Sequence, residues 1–224
     1  MSKIAITGTS RGLGLEMVRQ ASARGDKVLA CFRSPKNAEL FFNMDGVTPT
    51  LLDVTDPKAC EDVARIFGPL DLLICNAGQY IGYGKLEDPA YTPEAWAQVL
   101  ATNVSGVFFT ARAFIPYLQP KHGKIAIISS RLGSNTESSS GGSYIYRASK
   151  AAVTNLATNL SLDLADKGIA VGAYHPGWVK TDMGGAEADI DSTESVAGLL
   201  ARFDCLSMEN TGRFEDYSGM RLAY

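Results

Sequence analysis

Short apolar runs alternate with longer helical patterns along this chain, and that alternation constrains the fold more than any other feature. The runs are rich in Val, Ile and Leu throughout, which is typical of strands covered on both faces. The pattern predicts six strands, at Lys3–Thr7, Lys27–Phe32, Pro49–Val54, Leu70–Cys75, Lys124–Ser129 and Ile169–Tyr174.

Helix signals fill the intervals between the runs. Gly25 stops one helical pattern, Pro57 starts a second, and Pro93 starts a third that should reach about Leu118. Strands and helices that take turns in this way predict an α/β fold with a doubly wound parallel sheet, helices on both faces and right-handed crossovers. No linker interrupts the pattern, so residues 1–224 are expected to form a single domain.

Composition excludes several classes of protein. A chain of 224 residues that is 46% hydrophobic and 20% charged can bury a sizeable core. Its net charge of −3, without a cluster of Lys and Arg, predicts no nucleic-acid partner. No apolar run approaches the roughly 20 residues of a membrane span, and glycine comes too early for a signal peptide. The four cysteines form no Cys-x2-Cys pair, so we expect reduced thiols in a cytoplasmic protein without membrane contact.

The first predicted strand runs into a glycine-rich turn, "TGTSRGLG", with glycines at positions 8, 12 and 14. Glycines let the backbone turn tightly beside a pyrophosphate, whose charge is then met by amides at the following helix N-terminus. The spacing is Gly-x3-Gly-x-Gly and differs from the common dinucleotide fingerprint. Taken alone, the stretch is equally well interpreted as a plain glycine-rich turn.

Polar residues also follow the next strands. Asp53 ends the third predicted strand, and Asn76 and Gly78 follow the fourth. Each has an ordinary interpretation as loop chemistry, but the ligand crevice of a doubly wound sheet lies at these strand ends. Asn103 stands inside a predicted helix, where asparagine is intrinsically poor. Broken local rules are expected at functional sites.

The stretch "SYIYRASKAAV" places two tyrosines near one lysine. A helix advances about 100° per residue, so Tyr146 and Lys150 share a face and Tyr144 points away. The spacing alone is weak evidence, because it recurs at Tyr117 and Lys121, where Pro120 interrupts the helix. Only Tyr146 and Lys150 lie in an uninterrupted helical pattern.

Taken in order, the segments "TGTSRGLG", "CNAG", Asn103, "IAIISS", "YRASK" and "HPGWVKTDM" resemble the short-chain dehydrogenase/reductase family, in its C-factor/sniffer-like carbonyl reductase branch. The resemblance spans Thr7 to Met183 and implies a Rossmann-type sheet. It also implies a reductase or alcohol dehydrogenase that transfers hydride between a nicotinamide and a carbonyl or alcohol. The catalytic set that it implies is Asn103, Ser130, Tyr146 and Lys150.

Carbonyl reduction explains these residue types. A carbonyl that accepts hydride develops alkoxide charge, so it needs a proton donor and hydrogen bonds at its oxygen. Tyr146 is the predicted donor, and an ammonium at Lys150 should lower its pKa. By the resemblance, Lys150 also binds ribose, Ser130 holds the substrate oxygen, and Asn103 fixes a water that passes protons to Lys150.

The cofactor is predicted from the cations near the second strand. A cofactor with a 2′-phosphate needs a cation there, whereas a cofactor with a 2′-hydroxyl needs an acid. Arg33 stands at the end of the predicted strand Lys27–Phe32, and Arg11 lies in the glycine turn. NADP(H) is therefore preferred over NAD(H), although a solvated surface arginine is the other interpretation of Arg33. The predicted cofactor-binding residues are Gly8, Ser10, Arg11, Gly12, Leu13, Gly14, Arg33, Asp53, Val54, Asn76, Ala77, Gly78, Tyr146, Lys150, Pro176, Gly177, Val179 and Thr181.

Other functions fit the sequence less well. A serine hydrolase lacks its Gly-x-Ser-x-Gly elbow, a metal enzyme lacks clustered ligands, and an epimerase usually carries a further substrate domain. An NADP(H)-binding signalling or scaffold protein with incidental turnover stays open. The polar loop 131–143 either reshapes the pocket or is plain surface. The family also suggests a homodimer or homotetramer, and the expected partner is a small carbonyl or alcohol compound.

Overall fold

A seven-stranded sheet forms the centre of the molecule, and every pair of neighbouring strands in it is parallel. The computed structural model describes all residues from 1 to 224. The strands lie in the order β3-β2-β1-β4-β5-β6-β7. They are β1 Lys3–Thr7, β2 Lys27–Phe32, β3 Val47–Leu51, β4 Leu72–Cys75, β5 Lys124–Ile128, β6 Ala170–His175 and β7 Phe214–Asp216.

Six α-helices connect and cover these strands: α1 Gly12–Ala23, α2 Pro57–Phe67, α3 Pro93–Leu100, α4 Gly106–Phe114, α5 Tyr144–Asp163 and α6 Ser192–Cys205. A π-helical turn at Ala101–Ser105 joins α3 to α4. Short 3-10 helices lie at Pro35–Phe41, Ile115–Tyr117, Arg131–Gly133 and Ala165–Lys167.

Two apolar layers cover the two faces of the sheet. Along β1, Ala5 belongs to the layer formed with α2, α4 and α5, whereas Ile4 and Ile6 belong to the layer formed with α1 and α6. Because both faces are buried, the strands need apolar residues at consecutive positions. The predicted α/β single domain with a doubly wound, Rossmann-type parallel sheet is therefore confirmed.

The third strand lies earlier than predicted, at Val47–Leu51 and not at Pro49–Val54. It is an edge strand, which can accommodate Pro49 because a missing backbone N–H is tolerated there. Asp53 consequently stands two residues beyond the strand and not at its end. The sequence patterns did not predict α6 or the seventh strand. For β7 the reason is that the strand is only three residues long and contains two acids.

The predicted third helix continues from Pro93 to Tyr117 through the π-helical turn. Contrary to the expectation from the sequence, this 25-residue helix is long and apolar enough to cross a membrane, by length and composition only. Half of its most apolar 18-residue segment is buried inside the fold, as in the core helix of a soluble protein.

Candidate active site

A cavity of about 290 Å³ opens where the carboxyl ends of the central strands meet the glycine turn. This is the crevice beside the point where the strand order reverses between β1 and β4. The structure brings most of the predicted cofactor-binding residues to its wall: Gly8, Ser10, Arg11, Gly12, Leu13, Gly14, Arg33, Asp53, Val54, Asn76, Ala77, Gly78, Tyr146, Lys150, Pro176 and Thr181.

Two predicted cofactor-binding residues do not line this cavity. Gly177 faces Ile190 and Tyr217, and Val179 is buried in a bridge to Ile190. They support the segment that carries Pro176 and Thr181. The wall also includes residues that are not among the predicted cofactor-binding residues: Phe32, Leu52, Gln79, Thr102, Ile128, Ser129, Asp182 and Met183.

The glycine turn packs too closely for side chains. A Cβ at Gly14 would lie 2.2 Å from the Gly8 carbonyl oxygen and 2.6 Å from Asn76 Nδ2. Gly8 itself has a φ of +71°, which disfavours other residues. The Asn76 side chain donates to the carbonyls of Thr7 and Gly8, at 2.9 and 3.1 Å, and so fixes the turn to the end of β4.

The N-terminus of α1 lacks a side-chain cap, as do those of α4 and α5. The N-cap residue, Arg11, makes no capping bond, whereas Asp56, Thr92 and Asp191 cap α2, α3 and α6. Helix N-terminal amides without a partner are suited to an anion. Since Gly12 and its neighbours line the cavity, these residues fit the phosphates of a dinucleotide.

The two predicted phosphate-binding cations differ in their surroundings. Arg33 is exposed at the cavity wall and forms no ion pair. Arg11 is paired with Asp182, with 2.7 Å between Nη1 and Oδ2, and both side chains are more than 70% exposed. Arg33 is therefore the cation that is free for a ligand.

Tyr146 lies in the first turn of α5 and is only 8% exposed. Burial raises the pKa of its phenol well above the usual range, and the nearby Ser130 hydroxyl works in the opposite direction. The predicted lowering of this pKa by Lys150 is not found, because desolvation of the phenol dominates. Tyr146 consequently keeps its proton at neutral pH.

Lys150 lies one turn along the same helix, with Nζ 5.5 Å from the centre of the Tyr146 ring. Nζ donates to the Ile128 carbonyl at 2.8 Å, at the end of β5. Burial lowers the pKa of the ammonium to about 8, so most of the charge persists at neutral pH. Tyr144, in contrast, points away and packs edge-on against Tyr91, as the helix geometry predicts.

Ser129 and Ser130 have different tasks. Ser129 lines the cavity, but its hydroxyl is bound to Thr154 Oγ1 at 2.5 Å and to the Lys150 carbonyl at 3.2 Å. Ser130 does not line the cavity directly. Its hydroxyl accepts from the Leu132 amide at 3.2 Å and lies close enough to the Tyr146 phenol to lower the pKa of that group. Ser130 is therefore the serine placed beside Tyr146.

Asn103 is buried inside the π-helical turn and is not part of the cavity wall. Its Oδ1 accepts from the Gln79 amide at 2.8 Å, and its Nδ2 donates to the Gln79 carbonyl and to Ser149 Oγ, both at 2.9 Å. These bonds engage both amide hydrogens. In this structure the Asn103 side chain thus ties the loop after β4 to α5.

His175 is the last residue of β6. Burial lowers its pKa to about 4, and its Nδ1 has no hydrogen-bond partner. It is therefore neutral at physiological pH, and it does not line the cavity. Tyr146 and Lys150 are the two buried titratable side chains of the cavity wall.

The fold and this site define a dinucleotide-binding oxidoreductase. The family model described as short chain dehydrogenase matches residues 2–191, and the chain belongs to this family. The resemblance predicted from the motifs is confirmed.

Three known proteins illustrate the relationship. The chain is 38% identical over 158 residues to C-signal of Myxococcus xanthus. The aligned region covers 70% of this chain and 94% of that protein. It superposes on the carbonyl reductase Sniffer of D. melanogaster with a TM-score of 0.92, at 29% identity and over the whole of both chains. The NADPH-bound carbonyl reductase from chicken fatty liver gives a TM-score of 0.90 at 30% identity, covering 99% of this chain and 98% of that one.

Proposed function

We propose that this protein is an NADPH-dependent reductase of small carbonyl compounds, able to oxidise the corresponding alcohols in reverse. The observation that carries the proposal is the protonated, buried Tyr146 phenol beside Ser130 and Lys150, on the wall of a cavity that suits a dinucleotide. The carbonyl reductase neighbours support the reaction class.

The residues of the glycine turn would hold the cofactor pyrophosphate. The uncapped amides of α1 supply hydrogen bonds to it, and Arg33 supplies a charge for a 2′-phosphate. Asp53, Val54 and the Asn76–Gly78 segment line the walls between this end and Tyr146. When bound, the nicotinamide supplies the hydride.

Tyr146 provides the proton. Its raised pKa keeps the phenol protonated, which is the form that donates to a carbonyl oxygen as negative charge develops there. Ser130 lies beside the Tyr146 phenol and would hold that carbonyl oxygen. Lys150 places a positive charge near both and would bind the ribose.

NADP(H) is the favoured cofactor. Arg33 is exposed and unpaired at the cavity wall, and no acid ends β2 to receive a ribose 2′-hydroxyl. The chicken fatty liver relative was crystallised with NADPH. A guanidinium binds a phosphate more strongly than it binds a hydroxyl, so its presence favours the phosphorylated cofactor.

A second candidate is a cofactor-binding signalling protein in which turnover is incidental. The observation that favours it is the 38% identical relative that bears the name C-signal. The two candidates share the nucleotide site. They differ in whether the function depends on proton donation by Tyr146.

The test is a screen of aldehydes and ketones followed by NADPH absorbance, with Tyr146→Phe and Tyr144→Phe measured beside the parent. Loss of the phenol proton should lower kcat by ~10²–10⁴-fold in Tyr146→Phe, with NADPH binding retained. Tyr144→Phe should match the parent, because that hydroxyl faces away from Lys150. Equal turnover by Tyr146→Phe would favour the signalling candidate.

A further inference from the structure

The loop that follows β4 stacks an aromatic ring on Tyr146. The ring centres of Tyr80 and Tyr146 are 4.1 Å apart, and their planes differ by 16°. Tyr83 continues the stack on Tyr80, at 4.2 Å and 32°. Tyr83 is 59% exposed and Tyr146 only 8%, so the stack runs from solvent to the buried phenol.

The hydroxyl of Tyr80 is anchored to the helix that carries Tyr146. It shares a hydrogen bond of 2.6 Å with Ser143 Oγ, and Ser143 immediately precedes α5. Ser143 has a φ of +52°, an uncommon conformation for a residue other than glycine. Its amide donates to the Gly84 carbonyl at 3.0 Å, in the same loop.

A further tyrosine strengthens this attachment. The Tyr91 hydroxyl donates to the Gly84 carbonyl at 2.5 Å and accepts from the Tyr144 amide at 3.3 Å. The loop 79–91 is thus joined to the first turn of α5 by several bonds. Any shift of this loop would move Tyr80 and Tyr146 relative to one another.

We propose that Tyr80 is a positioning residue for Tyr146, whose ring it holds by stacking while its own hydroxyl is fixed by Ser143. This inference rests on the proposed function, since it gives the phenol a fixed direction for proton donation. A Tyr side chain can turn about two torsions, and a flat neighbour on one ring face restricts both. Proton transfer needs hydrogen-bond distances, so a small loss of alignment lowers the rate.

Tyr80 does not line the dinucleotide cavity. Its removal should therefore act on the proton-transfer step and leave cofactor binding intact. A purely structural role would instead change stability, and a substrate-wall role would change the KM for the carbonyl.

The experiment compares Tyr80→Leu, Tyr80→Phe and Tyr83→Leu with the parent, using one carbonyl substrate and NADPH. Tyr80→Leu should lower kcat about tenfold, the effect of losing one aromatic stack. Tyr80→Phe keeps the ring and loses only the Ser143 bond, so it should stay within about threefold. Tyr83→Leu is the matched control, because Tyr83 stacks on Tyr80 and not on Tyr146, and should stay within about twofold.

The other readouts are KM for both substrates, the Kd for NADPH by fluorescence titration, and the melting temperature. The inference requires unchanged KM and Kd in Tyr80→Leu, and rescue by Tyr80→Phe. If Tyr80→Leu does not fold, Tyr80→Met replaces it, and Ser143→Ala should give the same small loss of kcat as Tyr80→Phe.

Two results overturn the inference. One is a kcat equal to that of the parent in Tyr80→Leu, or in Tyr80→Met where that variant replaces it. The other is a change only in the KM for the carbonyl. Failure of the proposed function is distinguished by Tyr146→Phe. If that variant is inactive while Tyr80→Leu is fully active, only the positioning role is wrong. If Tyr146→Phe is as active as the parent, both ideas are wrong.

Discussion

The two ends of the cavity are built by different physical means. The nucleotide end, formed by the turn Gly8–Gly14 with Arg33, uses backbone conformation, free helix amides and an exposed cation. The proposed catalytic end, formed by Tyr146 and Lys150 with Ser130 beside them, uses buried side chains, and desolvation shifts the pKa of both Tyr146 and Lys150. Under the proposed function, the first end would recognise charge at the surface, and the second would control a proton away from water.

This difference implies different sensitivities to mutation. A buried charge or phenol has few alternative partners, so its loss should reduce turnover strongly. An exposed cation is screened by solvent, and its loss should weaken binding moderately. The following changes test that contrast, beginning with the largest expected effect.

Lys150→Met should affect both ends at once. It removes the buried ammonium beside Tyr146 and the group proposed to bind ribose. We expect kcat to fall by ~10²-fold or more and the Kd for NADPH to rise. Single-turnover kinetics and fluorescence titration measure the two effects separately. A variant that loses turnover but binds NADPH like the parent would confine Lys150 to the catalytic end.

Gly14→Ala tests the backbone basis of the nucleotide end. The new Cβ would lie 2.2 Å from the Gly8 carbonyl oxygen, so the turn or α1 must move. Overpacking of this kind typically lowers the free energy of unfolding by about 1–3 kcal/mol, and NADPH binding should weaken with it. Gly141→Ala is the matched control, because its Cβ would meet only Tyr144 Oη, at 3.9 Å. Equal urea denaturation curves for Gly14→Ala and the parent would contradict the packing argument.

Sequence patterns predicted features that depend on local periodicity. Tyr146 and Lys150 were paired correctly, because helix geometry alone puts them on one face. The glycine turn was located correctly, because its strand and helix are adjacent in the chain. The pKa of Tyr146 was expected to fall and instead rises, since its burial depends on Tyr80 and on packing from distant segments.

Contacts between distant segments leave no recognisable pattern in the amino-acid sequence. Tyr80 meets Ser143 across 63 positions, and Asp182 pairs with Arg11 across 171. The bonds from Asn103 to Gln79 and Ser149 likewise depend on how the π-helical turn meets α5. Neither composition nor spacing encodes which loops approach one another, so these partners required the structure.

Arg33→Asp should change cofactor choice without changing the chemistry. A carboxylate would repel a 2′-phosphate and accept a bond from a 2′-hydroxyl. We expect the preference for NADPH over NADH, as a ratio of kcat/KM, to fall about 10- to 100-fold. Arg33→Gln, which removes only the charge, should give an intermediate value. An unchanged ratio in both variants would remove Arg33 from the cofactor site.

The pH dependence separates the two buried groups of the catalytic end. The pKa of Lys150 is lowered to about 8, so its charge is present below that pH and is lost above it. The pKa of Tyr146 is raised, so the phenol stays protonated through the same range. Carbonyl reduction should therefore be flat below pH 8, and kcat/KM should fall about tenfold per unit above it. A rate that rises through pH 8 would contradict the role of the Lys150 charge.

The smallest expected effect concerns the exposed pair between Arg11 and Asp182, which sits at the rim of the nucleotide end. Exposed ion pairs contribute about 0–1 kcal/mol, so neither Arg11→Ala nor Asp182→Asn should change the melting temperature measurably. Their effects on the affinity for NADPH should have opposite signs. Arg11→Ala removes a cation, whereas Asp182→Asn releases the Arg11 cation from its ion pair. We expect Arg11→Ala to raise the Kd for NADPH about twofold to fivefold, and Asp182→Asn to lower it by a similar factor. Titrations at low and high salt measure both, and the two effects should converge as salt screens them. If Asp182→Asn weakens binding instead, the carboxylate orders Arg11 for the phosphate, and the nucleotide end depends on fixed side chains as the catalytic end does.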